Sequence, residues 1–260
     1  CPGTGSAGSG YVMAGSLVIP VGQTRPALVP LVCAEKWCAE LTGISLEKAY
    51  ATLWGSSDGS TFHKITSMRE DILFTHFGVS GPAALYLSRW IMPSFDQCSK
   101  ALKNHHRLTI DLSPDRTAEE VEGSLLEALS MSPNKLLRTV VSRHFDLPNA
   151  VALVLVGLCT SDDEICCRDT TREIRKKMVS VIKSLTLTVL DTKGYSEAMV
   201  TAGGVSTREL DPRTMEAKSH PGLYFAGEVI DIDGFTGGFN LQAAFSTGYL
   251  AGRSAAGQDQ

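Results

Sequence analysis

The sequence predicts a mixed α+β (α/β) fold, and three unlike stretches predict it. Residues 41–66 alternate short apolar and polar runs about turn residues, the pattern of strands joined by a hairpin. Residues 113–185 place apolar residues at helical spacing behind two capping boxes, the pattern of a helical insert. Residues 222–252 read as a strand, a glycine-rich turn and a helix, an arrangement that brings backbone close to a ligand.

The totals exclude several classes. The chain has 260 residues, 43% hydrophobic and 20% charged, with a mean hydropathy of +0.02. That is an ordinary globular composition, long enough for one large core or two modest ones. A net charge of −4 gives no strong nucleic-acid signal, although a local patch could still hold an RNA substrate. The longest apolar run, residues 150–158, is far short of the roughly 18 residues a membrane span needs. Seven scattered cysteines suit a reduced, cytoplasmic setting. No histidine or cysteine spacing matches a metal site, so no metal is expected.

Taken in order, residues 3–8 match G-x-G-x-x-G. Only Cys1 and Pro2 precede them, and the first acid is Glu35. The strand and the ribose-binding acid of a dinucleotide fingerprint are therefore missing. Residues 10–17 suit a short helix. Residues 49–54 and 61–66 suit strands joined through the turn residues Ser56, Ser57, Asp58 and Gly59. Residues 72–77 suit a further strand. Ser80 is then an N-cap, with Pro82 in the first turn of a helix to about Trp90. A hydrolase nucleophile at Ser80 is disfavoured, because G-x-S-x-G would need glycine where Pro82 stands. His76, at the strand end, is a candidate for a flavin-side or substrate-side role beside the commoner structural one.

Residues 107–112 read as a strand. Thr117 and Glu120 form a capping box before a helix with Val121, Leu125 and Leu129 on one face. Leu136, Leu137, Val140, Val141 and His144 mark a second helix. Thr170 and Glu173 suggest another capping box, with a stripe of Ile174, Met178, Val181 and Leu185. Arg172, Arg175, Lys176 and Lys177 lie largely opposite that stripe, most simply as a solvated face. Strands return at 185–190 and 198–202. The strand at 223–226 ends at Gly227 and Glu228. Gly234, Gly237 and Gly238 turn the backbone, and a helix runs from about Asn240 to Gly252. On it Ala244, Gly248 and Gly252 make a smooth face, and Leu241, Phe245 and Tyr249 an apolar stripe. The helix N-terminus suits a phosphate or the electron-rich edge of a reduced flavin.

Two long segments, residues 70–85 and 200–252, resemble the BaiN/RdsA-type (YhiN-like) NAD(P)/FAD-dependent oxidoreductases of bacteria. Residues 1–11 and 25–32 resemble the same family, although Ser9 stands where that family usually has an acid. The resemblance implies a two-dinucleotide-type FAD domain in two pieces, 1–26 and 186–260. Between them would lie a small β-rich, barrel-like substrate-side domain, 27–112, and the helical insert, 113–185. It implies FAD as cofactor and NAD(P)H as electron donor, with hydride passed to an unsaturated acceptor, a small molecule or a nucleobase. It places Gly227 and Glu228 near the ribityl chain or pyrophosphate, and Gly237, Gly238, Phe239, Asn240 and Leu241 near the flavin. Asp233 would either cap the turn or repel an anionic flavin. The proton donor is open among His76, Tyr195 and the cysteines, as are the acceptor and the oligomeric state. The chain is expected to be the middle and end of a longer protein without the N-terminal FAD fingerprint. The alternative is a non-catalytic interaction module that does not bind FAD by itself.

Overall fold

The computed structural model describes residues 5–91 and 105–257. Residues 3 and 4 of the 3–8 glycine motif and the candidate cysteines Cys1 and Cys98 lie outside them. The chain divides into two compact units. One comprises the described residues of Leu31–Leu87 and Cys98–Asp191, the other those of Cys1–Pro30, Ser88–Gln97 and Thr192–Gln260.

The first of these units is a closed barrel with a helical module. Strands β2 (Leu31–Cys33), β3 (Ser45–Gly55), β4 (His63–Thr75), β5 (Gly78–Ser80), β6 (His106–Asp111) and β7 (Leu185–Thr192) close in the order β2-β5-β4-β3-β6-β7. Side chains alternate across each strand, so Ala51 and Leu53 of β3, Leu108 and Ile110 of β6, and Leu187 and Val189 of β7 are buried. The β3–β4 hairpin closes on Asp58. Its Oδ1 accepts from the backbone N–H groups of Ser60 and Thr61, both at 2.9 Å, which fixes the turn the sequence marks.

Two expected strands, 61–66 and 72–77, are one continuous strand here. The charged residues Arg69 and Glu70 between them pair in register with Tyr50 and Ala49 of β3. Both residues are exposed, so the polar break in the sequence is not a break in the ladder. Residues 76 and 77 then turn the chain into β5, pairing Thr75 with Gly78. The strand expected to open the C-terminal segment, β7, is the last barrel strand and pairs with β6 from Ile110↔Leu185 to His106↔Val189.

Four helices connect β6 to β7: α3 (Ala118–Met131), α4 (Leu137–His144), α5 (Asn149–Cys159) and α6 (Arg172–Lys183). The capping box before α3 forms as written. Thr117 Oγ1 accepts from Glu120 N at 3.2 Å and Glu120 Oε2 accepts from Thr117 N at 2.7 Å. Val121, Leu125 and Leu129 are buried. For α6 the expected register is off by one. Thr171, not Thr170, is the N-cap, accepting from Ile174 N. The buried face is accordingly Met178, Val179 and Ile182, and Leu185 belongs to β7.

The other unit contains α1 (Ser9–Ser16), the antiparallel pair β1 (Arg25–Ala27) and β8 (Val200–Ala202), and α7 (Phe239–Ala255). Its core includes Ala14, Ile19, Val205, Leu210 and Ile230. The chain reverses sharply after β8. Gly203 sits at φ +83°, and a Cβ there would lie 2.2 Å from the Gln23 carbonyl oxygen, so only glycine fits. The strand expected at 223–226 does not form. Tyr224 and Ile230 make single bridges, to Glu216 and Val205, and residues Gly227–Val229 are a 3₁₀ turn. Gly222 and Gly227, both at positive φ, turn the chain at either end of the segment, so the ladder stops at one pair.

Helix α2 (Gly81–Ser88) starts directly after Ser80, as the capping reading expects, but ends two residues before Trp90. Ser88 is fully buried, and its Oγ accepts from Val29 N at 3.1 Å.

Candidate functional site

The site is built from the turn at 227–238 and the start of α7. Gly237 (φ +99°) and Gly238 (φ +90°) occupy the left-handed region, and Gly238 is the N-cap of α7. Glycine tolerates that conformation without the penalty a Cβ would bring. No side chain caps the helix, which leaves its first-turn N–H groups open. Asn240 cinches the loop ahead of them. Its Oδ1 accepts from Gly234 N at 2.7 Å, and its Nδ2 donates to the carbonyls of Gly234 and Phe235 at 3.1 and 3.3 Å. Asn240 is thus a loop clamp as well as a first-turn residue.

Beside the open helix end stand Phe239 and Leu241, 61% and 64% exposed. Gly227, Glu228, Asn240, Ala244 and Thr247 line a shallow cleft next to the same turn. There Gly227 N donates to Thr247 Oγ1 at 3.0 Å. Glu228 is fastened rather than free. Its Oε1 accepts from Thr201 N at 3.1 Å, and its backbone carbonyl accepts from the Tyr11 hydroxyl at 3.2 Å. Burial, then the Glu228 charge, raises the Tyr11 phenol above its usual pKa.

Asp233 neither caps the turn nor points an unbalanced charge at a ligand. Arg89 Nε donates to its Oδ2, and Arg89 Nη2 to its backbone carbonyl, both at 2.9 Å. The guanidinium also lies 5.2 Å from the centre of the Phe235 ring. Arg89 is therefore a residue of the site that sequence reasoning missed, along with Tyr11, Thr201 and Thr247. Asp233 and Arg89 are 144 positions apart, and only the fold brings them together.

The smooth face expected on α7 is rotated from the real one. Gly248 and Gly252 face open space, while Asn240, Ala244, Thr247, Ala251 and Ser254 turn inward. The apolar stripe of Leu241, Phe245 and Tyr249 is exposed, with Phe245 at 70%. His76 belongs to the other unit. It lies exposed in the β4–β5 turn, its ring packed edge-on against Phe77 with centroids 5.0 Å apart. Among the described residues no histidine or carboxylate reaches the Ser80 hydroxyl by a hydrogen bond. Of the candidate thiols, a hydrogen bond to Cys38, together with burial, drives Cys33 upward, and burial pushes Cys159 up to about 11. Both stay protonated near neutrality. Tyr195 is half-buried in the 3₁₀ turn Gly194–Ser196.

Residues 25–200 match the family described as "HI0933-like protein barrel and H2TH domain". Residues 168–260 match the family described as "Glucose inhibited division protein A". Among individual proteins, the chain is 33% identical over 255 residues to a ribosomal RNA dihydrouridine synthase of Haemophilus influenzae, covering 97% of this chain and 57% of that protein. It is 33% identical over 248 residues to the enzyme of the same name from Escherichia coli, covering 95% and 56%. It is 30% identical over 252 residues to a 3-dehydro-bile acid delta(4,6)-reductase of Clostridium scindens, covering 97% and 58%. The chain thus spans a little more than half the length of these curated relatives. With the first family match covering the barrel and the helical module, the chain belongs to the HI0933-like family, the BaiN/RdsA-type flavoprotein oxidoreductases that its motifs resemble.

Proposed function

We propose that this chain carries the flavin-side site and the barrel of an FAD-dependent oxidoreductase that passes a hydride from NAD(P)H through FAD to a carbon–carbon double bond. The observation that carries the reading is the uncapped N-terminus of α7, set behind two left-handed glycines and flanked by exposed Phe239 and Leu241. Open N–H groups beside apolar surface suit a flat heteroaromatic ring with an electron-rich edge. When bound, FAD supplies the two-electron chemistry. The chain's own residues hold and orient it. Gly237, Gly238 and the first turn of α7 would hold the ring edge. Phe239 and Leu241 exclude water from it. Arg89 neutralises Asp233, so no uncompensated carboxylate opposes a reduced, anionic ring. Gly227 and Glu228 shape the cleft for the ribityl chain.

The names of the relatives support the reaction class. Dihydrouridine formation and a delta(4,6)-reduction both add hydrogen across a ring carbon–carbon double bond. The stronger identities, 33% against 30%, favour a uracil-type acceptor in RNA over a steroid-like one. A cytoplasmic setting agrees with the free thiols Cys33, Cys38, Cys159, Cys166 and Cys167. No described helix is long and apolar enough to cross a membrane.

The test is an FAD titration followed by flavin fluorescence and thermal stability. Saturable binding with a rise in Tm is expected, with loss of both in Gly238→Val, where a β-branched residue cannot hold φ +90°. Anaerobic NADH or NADPH should then bleach the bound flavin. A chain that neither binds FAD nor gains stability from it overturns the reading and leaves the non-catalytic interaction module.

A further inference from the structure

We propose that the exposed cationic row of α6, formed by Arg172, Lys176 and Lys177, is a docking surface for the phosphate backbone of an RNA substrate. The proposal rests on the reading of an RNA uracil as acceptor and adds to it where the RNA is held.

The charge is concentrated. The twelve residues of α6 carry five cations and one acid, in a chain whose net charge is −4. Two of the five cations are spent inside the unit. Arg175 Nε donates to Glu122 Oε1 at 3.4 Å and is largely covered. Lys183 Nζ pairs with Asp111 at 2.7 Å and donates to the Ser113 carbonyl at 2.9 Å. Arg172, Lys176 and Lys177 are exposed, and no ion pair holds them among the described residues. They are spare because α6 packs through Met178, Val179 and Ile182. At 3.6 residues per turn, that face turns residues 176 and 177 outward, and Arg172 is exposed in the first turn of the helix.

The single acid on the helix offsets the row only in part. Glu173 sits at the helix N-terminus, where its own backbone N–H and the Thr171 hydroxyl, and then the charges of Arg172 and Lys176, hold its carboxyl below the usual range, so three cations face one acid. Cys167 N donates to the Lys135 carbonyl and Arg168 N to the Pro133 carbonyl, at 2.9 and 3.0 Å. These bonds seat exposed Lys135 beside the turn that leads into α6. Arg172 and Lys176 stand one turn apart, a rise of about 6 Å, comparable to the step between successive phosphates of one strand.

Exposed cations on a rigid helix bind phosphates and release counterions, and they read no sequence. The surface therefore fits the backbone of RNA, while selection of the base belongs elsewhere.

The experiment compares the wild-type chain, Arg172→Gln/Lys176→Gln/Lys177→Gln, and a control with the same charge loss on other exposed cations, Lys36→Gln/Arg213→Gln/Lys218→Gln. Each is titrated with a fluorescein-labelled, uridine-containing hairpin RNA by anisotropy, between about 50 and 200 mM salt. FAD is titrated in parallel. The expected result is at least ten-fold weaker RNA binding for the α6 variant. The slope of log K against log salt should become shallower by roughly 1 for each cation removed. The control should stay within two-fold of wild type, and all three should keep the same FAD affinity and Tm. An α6 variant that binds like wild type, an equal loss in variant and control, or a wild-type chain that takes no RNA at low salt overturns the proposal. FAD binding without RNA binding defeats the docking surface alone. RNA binding through α6 without FAD binding defeats the flavin reading alone.

Discussion

Arg89 and Asp233 are each about one-fifth exposed, and their ion pair ties the end of α2 to the turn that leads into α7. Removing the guanidinium leaves a half-buried carboxylate without its counter-charge, which costs more than the pair itself is worth. Arg89→Ala is therefore expected to lower stability by about 1–3 kcal/mol in urea denaturation, discounted from a fully buried pair because solvent still reaches this one. Arg89→Lys should recover part of that, since an ammonium keeps the charge but cannot span Oδ2 and the backbone carbonyl together. The same variants should weaken FAD, and in the same order. If Arg89→Ala keeps both wild-type stability and wild-type FAD affinity, Arg89 is not the anchor of this turn.

At the level of single elements, α6 offers a sharp test because two threonines compete for one role. The Thr171 hydroxyl accepts from Ile174 N, whereas the Thr170 hydroxyl donates to the Cys166 carbonyl. Thr171→Ala should cost about 1 kcal/mol and Thr170→Ala no more than about 0.5 kcal/mol, measured by thermal or urea unfolding. The reverse order would restore the register read from the sequence. That mistake, and others like it, follow one physical line. Features set by neighbouring residues were legible: the Thr117–Glu120 box, the Asp58 turn, the start of α2 after Ser80, the extent of α1. Features set by distant partners were not. Residues 61–77 look like two strands because Arg69 and Glu70 interrupt the apolar pattern, yet β3 supplies their backbone partners. Residues 223–226 look like a strand, yet nothing offers them more than single bridges. The glycine turn before α7 was readable from Gly237 and Gly238. Arg89, Tyr11 and Thr201 were not, because nothing local marks a residue whose partner lies far along the chain.

Across the whole molecule, exposed apolar surface is unevenly shared. The unit holding α1 and α7 exposes Val12, Met13, Val18, Met199, Phe239, Leu241, Phe245 and Tyr249 at 60% or more. The barrel unit exposes only Met131 to that degree among its described residues. Scattered apolar residues on a surface need no explanation, but Leu241, Phe245 and Tyr249 fall on one side of one helix, next to the open helix end. In water such a stripe gains by covering itself, at roughly 25 cal/mol for each Å² removed from solvent. The isolated chain should therefore self-associate with rising concentration, seen by light scattering. Phe245→Lys/Tyr249→Lys should suppress the association. Because both side chains already face solvent and lysine is a good helix former, the double variant should stay within about 0.5 kcal/mol of wild-type stability. A loss of several kcal/mol in the monomer would mean instead that this stripe is packed within the folded chain, and that α7 meets the core through a different face from the one carrying Ala244, Thr247 and Ala251.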